Sequence, residues 1–149
     1  MDRYDFMERA YALALEAHKE NEIPVGCVIV KDNEIIAEGR NHTGREKCAT
    51  KHAEIVAIEN ASKKLSSANL SSCELYVTLE PCPMCAGAII NSKIIKVVFG
   101  AFDRNYGACG TAFDLFKMSN IHKPECYGGI CEEKCTELLK NFFREVREN

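Results

Sequence analysis

The chain has 149 residues, 46% of them apolar, and a formal net charge of −3. That is enough to bury the core of one ordinary domain and too little for two comfortable ones. No run of 18 or more apolar residues exists, which excludes a membrane-spanning helix, and Met1-Asp2-Arg3-Tyr4-Asp5 is acidic where a secretory leader is basic and then apolar. These features predict a single domain, residues 1–149, in a soluble cytoplasmic protein.

The first element is a helix over residues 2–20, where Phe6, Ala10, Leu13 and Ala17 recur at helical spacing and Pro24 bounds the segment downstream. A buried strand at 25–30, the turn Lys31-Asp32-Asn33-Glu34 and a return strand at 35–40 make a hairpin. Residues 41–51 have no apolar periodicity and read as a loop. They lead into a helix over 52–65, with Ile55, Ile58 and Ala61 on one face. After a polar connector at 66–72, a third strand covers 75–79. Pro81 and Pro83 stiffen the next turn, and a short helix follows at 84–91. A fourth strand is expected at 94–99, a glycine-containing loop at 100–110, a short helix at 113–116 and a weak fifth strand near Cys126. The last helix, 131–146, carries Cys131, Cys135, Leu138, Leu139, Phe142 and Val146 as one apolar stripe. This alternation of strands and helices predicts an α/β fold, a mixed sheet covered on both faces.

Within that frame one constellation carries chemistry. His52-Ala53-Glu54 is followed, with 26 residues between, by Pro81-Cys82-Pro83-Met84-Cys85. His52, Cys82 and Cys85 supply three ligands of zinc-binding type, and three protein ligands leave a fourth tetrahedral position for water, the mark of a catalytic zinc. Glu54 has no place in a structural zinc site. Next to a zinc-activated water it serves as the proton carrier, taking a proton and passing it to a leaving group. Both ligand segments fall at helix N-termini, where the macrodipole and free N–H groups favour thiolate over thiol.

Nine cysteines, an odd number, argue against a complete disulfide framework and fit reduced thiols. Cys126, Cys131 and Cys135 cluster loosely but match no common zinc module, so they read as small buried hydrophobes. Charge is uneven. Arg40, Arg45, Lys47 and Lys51 against Glu46 give residues 40–51 a local +3, and Lys93, Lys96 and Arg104 against Asp103 give residues 91–109 a local +2. Basic segments thus bracket the constellation, either as a solvated face or as a surface for a polyanion.

The His-x-Glu and Pro-Cys-x-x-Cys pair resembles the signature of zinc-dependent nucleobase deaminases. The segments Glu22-Ile23-Pro24-Val25-Gly26, Gly39-Arg40-Asn41, Leu75-Tyr76-Val77-Thr78-Leu79-Glu80-Pro81-Cys82, Val97-Val98-Phe99-Gly100-Ala101 and Gly107-Ala108-Cys109-Gly110 are similar, in order and over nearly the whole chain, to the bacterial tRNA-specific adenosine deaminases. This resemblance implies the three-layer α/β/α cytidine-deaminase-like fold with a central mixed five-stranded sheet. It also implies one zinc per chain on His52, Cys82 and Cys85, and Glu54 as the catalytic proton shuttle. Asn41 would hydrogen-bond the target base, and Asp103 would lie near the flanking nucleotides. The implied reaction is hydrolysis of adenosine to inosine at the wobble position of a tRNA anticodon stem-loop, by a homodimer. The zinc motif by itself equally admits a deaminase of a free base or nucleoside such as guanine, cytosine or adenosine. Cys27 and Lys51 resemble the catalytic subunit of the eukaryotic two-subunit enzyme, which leaves a heterodimer open. Cys48-Ala49-Thr50-Lys51 stands where the family usually has Asp-Pro-Thr-Ala, and Phe102 where it commonly has arginine.

Overall fold

A computed structural model describes residues 1–118, 120 and 122–148. Ten elements follow the expected order: α1 (Arg3–Lys19), β1 (Gly26–Lys31), β2 (Glu34–Arg40), α2 (Ala53–Leu65), β3 (Cys73–Leu79), α3 (Pro83–Ser92), β4 (Lys96–Ala101), α4 (Leu115–Met118), β5 (Glu125–Tyr127) and α5 (Glu132–Glu148). Asp2 starts α1 through a capping box, accepting from the Tyr4 and Asp5 amides while the Asp5 carboxylate accepts from the Asp2 amide. Asp32 and Asn33 both hold positive φ, at 51° and 63°, which is the conformation a two-residue hairpin turn requires.

The strands form one mixed sheet in the order β2-β1-β3-β4-β5. β1 runs antiparallel to β2 and β3, whereas β3, β4 and β5 run parallel. Side chains on the inner strands alternate between two cores. Val28, Val30, Tyr76 and Val98 pack with Phe6, Met7, Ala10 and Leu13 of α1. Cys27, Ile29, Leu75, Val77, Val97 and Phe99 pack on the other face with Ala53, Ala57 and Ala61 of α2 and with Ala86 and Ile89 of α3. Burial on both faces is why these strands read as unbroken apolar runs rather than alternating ones.

Two glycines set the layer spacing. A Cβ on Gly26 would stand 2.0 Å from the Ala10 carbonyl oxygen, and one on Gly39 would stand 2.4 Å from that of Ala53, so α1 and α2 rest directly on the sheet backbone. The face of α2 differs from expectation for the same reason. Ala53, Ala57 and Ala61 are buried while Ile55 and Ile58 are only half-buried, because the close approach leaves room for alanine alone. On α5, Cys135, Leu138 and Phe142 are buried as expected, but Cys131 lies before the helix at φ 59° and Val146 is exposed. β4 starts at Lys96 rather than at residue 94, since Lys93 closes α3 in the left-handed region and Ile94 is spent on the turn. Among the described residues, no helix is long and apolar enough to cross a membrane.

Candidate active site

His52 and Cys82 hold equivalent places, each the N-cap of its helix, α2 and α3, in extended backbone and with no side-chain cap hydrogen bond. Their side chains are thereby free to turn toward each other. Pro83 at the first position of α3 fixes the turn without losing a needed hydrogen bond, and Cys85 comes back one turn later, fully buried. The imidazole Nδ1 of His52 lies 3.6 Å from Cys82 Sγ and 3.5 Å from Cys85 Sγ. All three donor atoms fall within 4.8 Å of one another. Zinc bonds of about 2.3 Å to sulfur and about 2.05 Å to nitrogen, at a tetrahedral angle, separate the two donors by about 3.6 Å. The donor set and its spacing fit zinc.

Burial sets the electrostatics of these groups. Glu54, in the first turn of α2, is 4% exposed, and desolvation is the main force lifting its carboxyl to about 7, with the nearby Cys82 adding to it. Cys82 is drawn down to about 4 by the hydrogen bond from Cys85 and then by His52, while Cys85 is pushed far up by holding that proton. Without a cation the two sulfurs thus share one proton. A divalent ion must displace it to gain both thiolates.

His52, Glu54 and Cys82 form the floor of a cleft of about 1060 Å³ at the carboxyl ends of the parallel strands β3 and β4, where open α/β sheets place their ligands. Asn41, buried at the end of β2, lines it and donates from Nδ2 to Thr43 Oγ1 at 3.4 Å. Asp103 also lines it, but its Oδ1 accepts from the Asn105 and Tyr106 amides at 3.0 and 3.1 Å and is committed to shaping its own loop. Five of the six residues singled out in the sequence, Asn41, His52, Glu54, Cys82 and Asp103, therefore line one cavity, and Cys85 lies buried behind its floor beside Cys82 and His52.

The charge around that cavity is arranged differently from expectation. Arg40 pairs with Glu20 and Glu16, Arg45 with Glu20, and Lys51 with Glu59, so the basic segment 40–51 is largely neutralised by α1 and α2. Of the basic residues in 91–109, Arg104 reaches the cleft, whereas Lys96 lies over the Tyr127 ring. Lys140, Arg144 and Arg147 of α5 supply the cationic wall instead, beside exposed Phe143. Their spacing of four and three residues puts them on one helix face, a signal readable in the sequence but hidden by the acidic total of that helix. The cysteine grouping also changes. Cys109 and Cys126 share a hydrogen bond, which raises the first and lowers the second, while Cys135 packs against Gly100.

Residues 1–101 match the model of the cytidine and deoxycytidylate deaminase zinc-binding region. The tRNA-specific adenosine deaminase of Bacillus subtilis is 43% identical over 144 residues, covering 96% of this chain and 89% of that protein. This chain belongs to the tRNA-specific adenosine deaminase family. As a member it is a zinc-dependent hydrolytic enzyme, and its fold is that of the family: a solved tRNA:A34 deaminase, studied for A-to-I editing at the wobble position, superposes with a TM-score of 0.87 at 38% identity over 90% of this chain and 98% of the other. A guanine deaminase from Bacillus subtilis is 40% identical yet superposes less well, with a TM-score of 0.68 over 83% of this chain and 79% of its own.

Proposed function

We propose that the chain hydrolyses adenosine to inosine at the wobble position of tRNA. Its site is His52, Cys82 and Cys85 around one zinc, Glu54 as proton carrier, and Asn41 and Asp103 on the substrate side. The observation that carries this reading is the cleft above Glu54. It reaches the upper end of the roughly 300–1,000 Å³ typical of small-molecule sites, and its walls bear exposed rings and a row of cations. A free base needs neither. A looped-out nucleotide with its flanking phosphates uses both.

Bound on the three ligands, zinc would supply Lewis acidity, bringing the pKa of water held there from 15.7 to about 7. Glu54 then does the proton work. A carboxylate oxygen takes one proton from the attacking water as the water oxygen bonds C6, and delivers that proton to N1 of the purine; it then carries the proton of the new C6 hydroxyl to the exocyclic nitrogen, and ammonia leaves as the C6–N bond breaks and the C6 carbonyl forms. A carboxyl buried beside the three ligands suits both halves, since it can take up a proton and give it back. The Asn41 amide both donates and accepts, which suits the edge of a base. Residues 1–149 act as one domain, and the working form is a cytoplasmic homodimer that takes the anticodon stem-loop.

The test is direct. Zinc-loaded protein should convert an anticodon stem-loop bearing wobble adenosine to inosine and leave free guanine, cytosine and adenosine unchanged. Rapid ammonia release from guanine with no inosine in the RNA overturns the substrate, while full activity in Glu54→Ala overturns the mechanism.

A further inference from the structure

Among the described residues, two buried carboxylates outside the zinc cluster pair with backbone amides. Glu80, 2% exposed, sits where β3 ends and accepts from three amides of the loop after β4: Asp103 at 3.1 Å, Cys109 at 3.1 Å and Thr111 at 3.2 Å. Gly107 completes the wrap, since a Cβ there would stand 2.4 Å from Glu80 Oε1. The loop carries Phe102, Arg104 and Tyr106 to one wall of the cleft, with Phe102 48% and Tyr106 65% exposed. Across the cleft, Glu22 repeats the device. It is 5% exposed and accepts from the Gly44 and Arg45 amides at 3.0 and 2.7 Å, holding the loop that carries Asn41 and Thr43.

Both loops have backbone hydrogen bonds of their own, among them His42 N–H to the Lys51 carbonyl and Gly107 N–H to the Asp103 carbonyl. To these each carboxylate adds charge-assisted hydrogen bonds, the stronger kind, which tie the loop to a point outside it, Glu80 at the end of β3 and Glu22 after α1. Ordering such loops only when substrate arrives would weaken binding by the entropy of fixing them. We propose that Glu80 and Glu22 are positioning residues which preset the two walls of the cleft, Glu80 for the nucleotides flanking the target and Glu22 for the target base itself. The assignment rests on the reading that the cleft takes a looped-out nucleotide of RNA.

The experiment uses full-length, zinc-loaded Glu80→Gln and Glu22→Gln, each replacing one acceptor oxygen by an NH₂ that faces an amide donor. Amide hydrogen exchange is measured without substrate. Glu80→Gln should speed exchange at residues 103, 109 and 111 by about tenfold or more and leave 44 and 45 unchanged, and Glu22→Gln should do the reverse. With the anticodon stem-loop, Glu80→Gln should raise KM about tenfold while kcat moves less than twofold and zinc stays at one per chain, because a preset wall contributes binding that is uniform between ground and transition states. Gly107→Ala, which disturbs the same wrap from the loop side, should reproduce that pattern and covers the case in which Glu80→Gln does not fold. Unchanged exchange at the gripped amides overturns the proposal, as does zinc loss with KM unaltered, which would make Glu80 a mere support of the Cys82 turn. Wild-type protein inert on the stem-loop removes the RNA reading instead, and the exchange pattern still decides whether these carboxylates set the loops.

Discussion

Gly39 and Ala53 meet so closely that a single added methyl on the glycine would stand 2.4 Å from the alanine carbonyl oxygen. Ala53 is flanked by His52 and Glu54, so the seat of α2 on β2 is also the seat of a proposed metal ligand and of the proposed proton carrier. Gly39→Ala should therefore act at two levels. Stability falls by about 1–3 kcal/mol from overpacking, read as a lower urea midpoint, and zinc affinity falls with it as His52 shifts from the two sulfurs. A variant with reduced midpoint and intact zinc affinity would show that the helix start is anchored independently of the sheet.

Replacing Glu54 by Gln should leave one zinc per chain and cut kcat by about 10²- to 10⁴-fold, the range of general acid–base contributions. Zinc content by atomic absorption together with single-turnover rates separates the two. A variant that loses its zinc would reassign Glu54 to holding the metal site together.

The same substitution has a pH signature in metal-free protein. Glu54 sits at about 7 in the fold against 4.5 for the free side chain. A raised carboxyl stabilises the fold fully below the unfolded value and loses that contribution as pH rises through the folded one. Wild type should accordingly weaken relative to Glu54→Gln between pH 4.5 and 7, by on the order of 3 kcal/mol, and the gap should be constant above pH 8. Paired urea melts at pH 5 and pH 8 measure it; equal gaps at both would contradict the buried, uncompensated carboxyl.

Zinc binding should release at least one proton. Cys85 keeps its proton far above the usual thiol range through its bond to Cys82 and burial, His52 is shifted upward as well, and the metal needs the thiolate and the neutral imidazole. Apparent zinc affinity should rise by about tenfold or more per pH unit between pH 6 and 8, with proton release visible as a buffer-dependent heat in calorimetry. A pH-independent affinity would mean that both sulfurs are already ionised.

Arg144→Ala and Arg147→Ala should each raise KM for the stem-loop with kcat nearly unchanged. Removing a cation that neutralises one phosphate should also flatten the slope of log KM against log salt by about 0.7 to 1. An unchanged slope would place the RNA away from α5.

The fold was legible because its signals are local and repeated. Most of the described elements follow from apolar periodicity and from Pro24, Pro81 and Pro83, with α4 displaced from the expected 113–116 to Leu115–Met118, and the zinc-type constellation from ligand chemistry at adjacent helix starts. Three things were not legible, each because it depends on neighbours distant in sequence. Ile55 and Ile58 gave way to alanines because Gly39 brings α2 too near the sheet for larger side chains. The cations of residues 40–51 looked free until Glu16, Glu20 and Glu59 were placed beside them. Glu80, lying within a motif read for its cysteines, showed its work only once the amides of residues 103, 109 and 111 had folded around it.

His52 and Cys82 are N-caps that cap nothing with their side chains. A metal between them does for two helices what a serine or aspartate does for one, tying down both starts at a single point. Glu54, the proposed proton carrier, rides on the first turn of one of those helices. Loss of the metal should therefore disturb the base as well: chelation that frees the two helix starts should unseat Glu54, and reconstitution should restore both in one step.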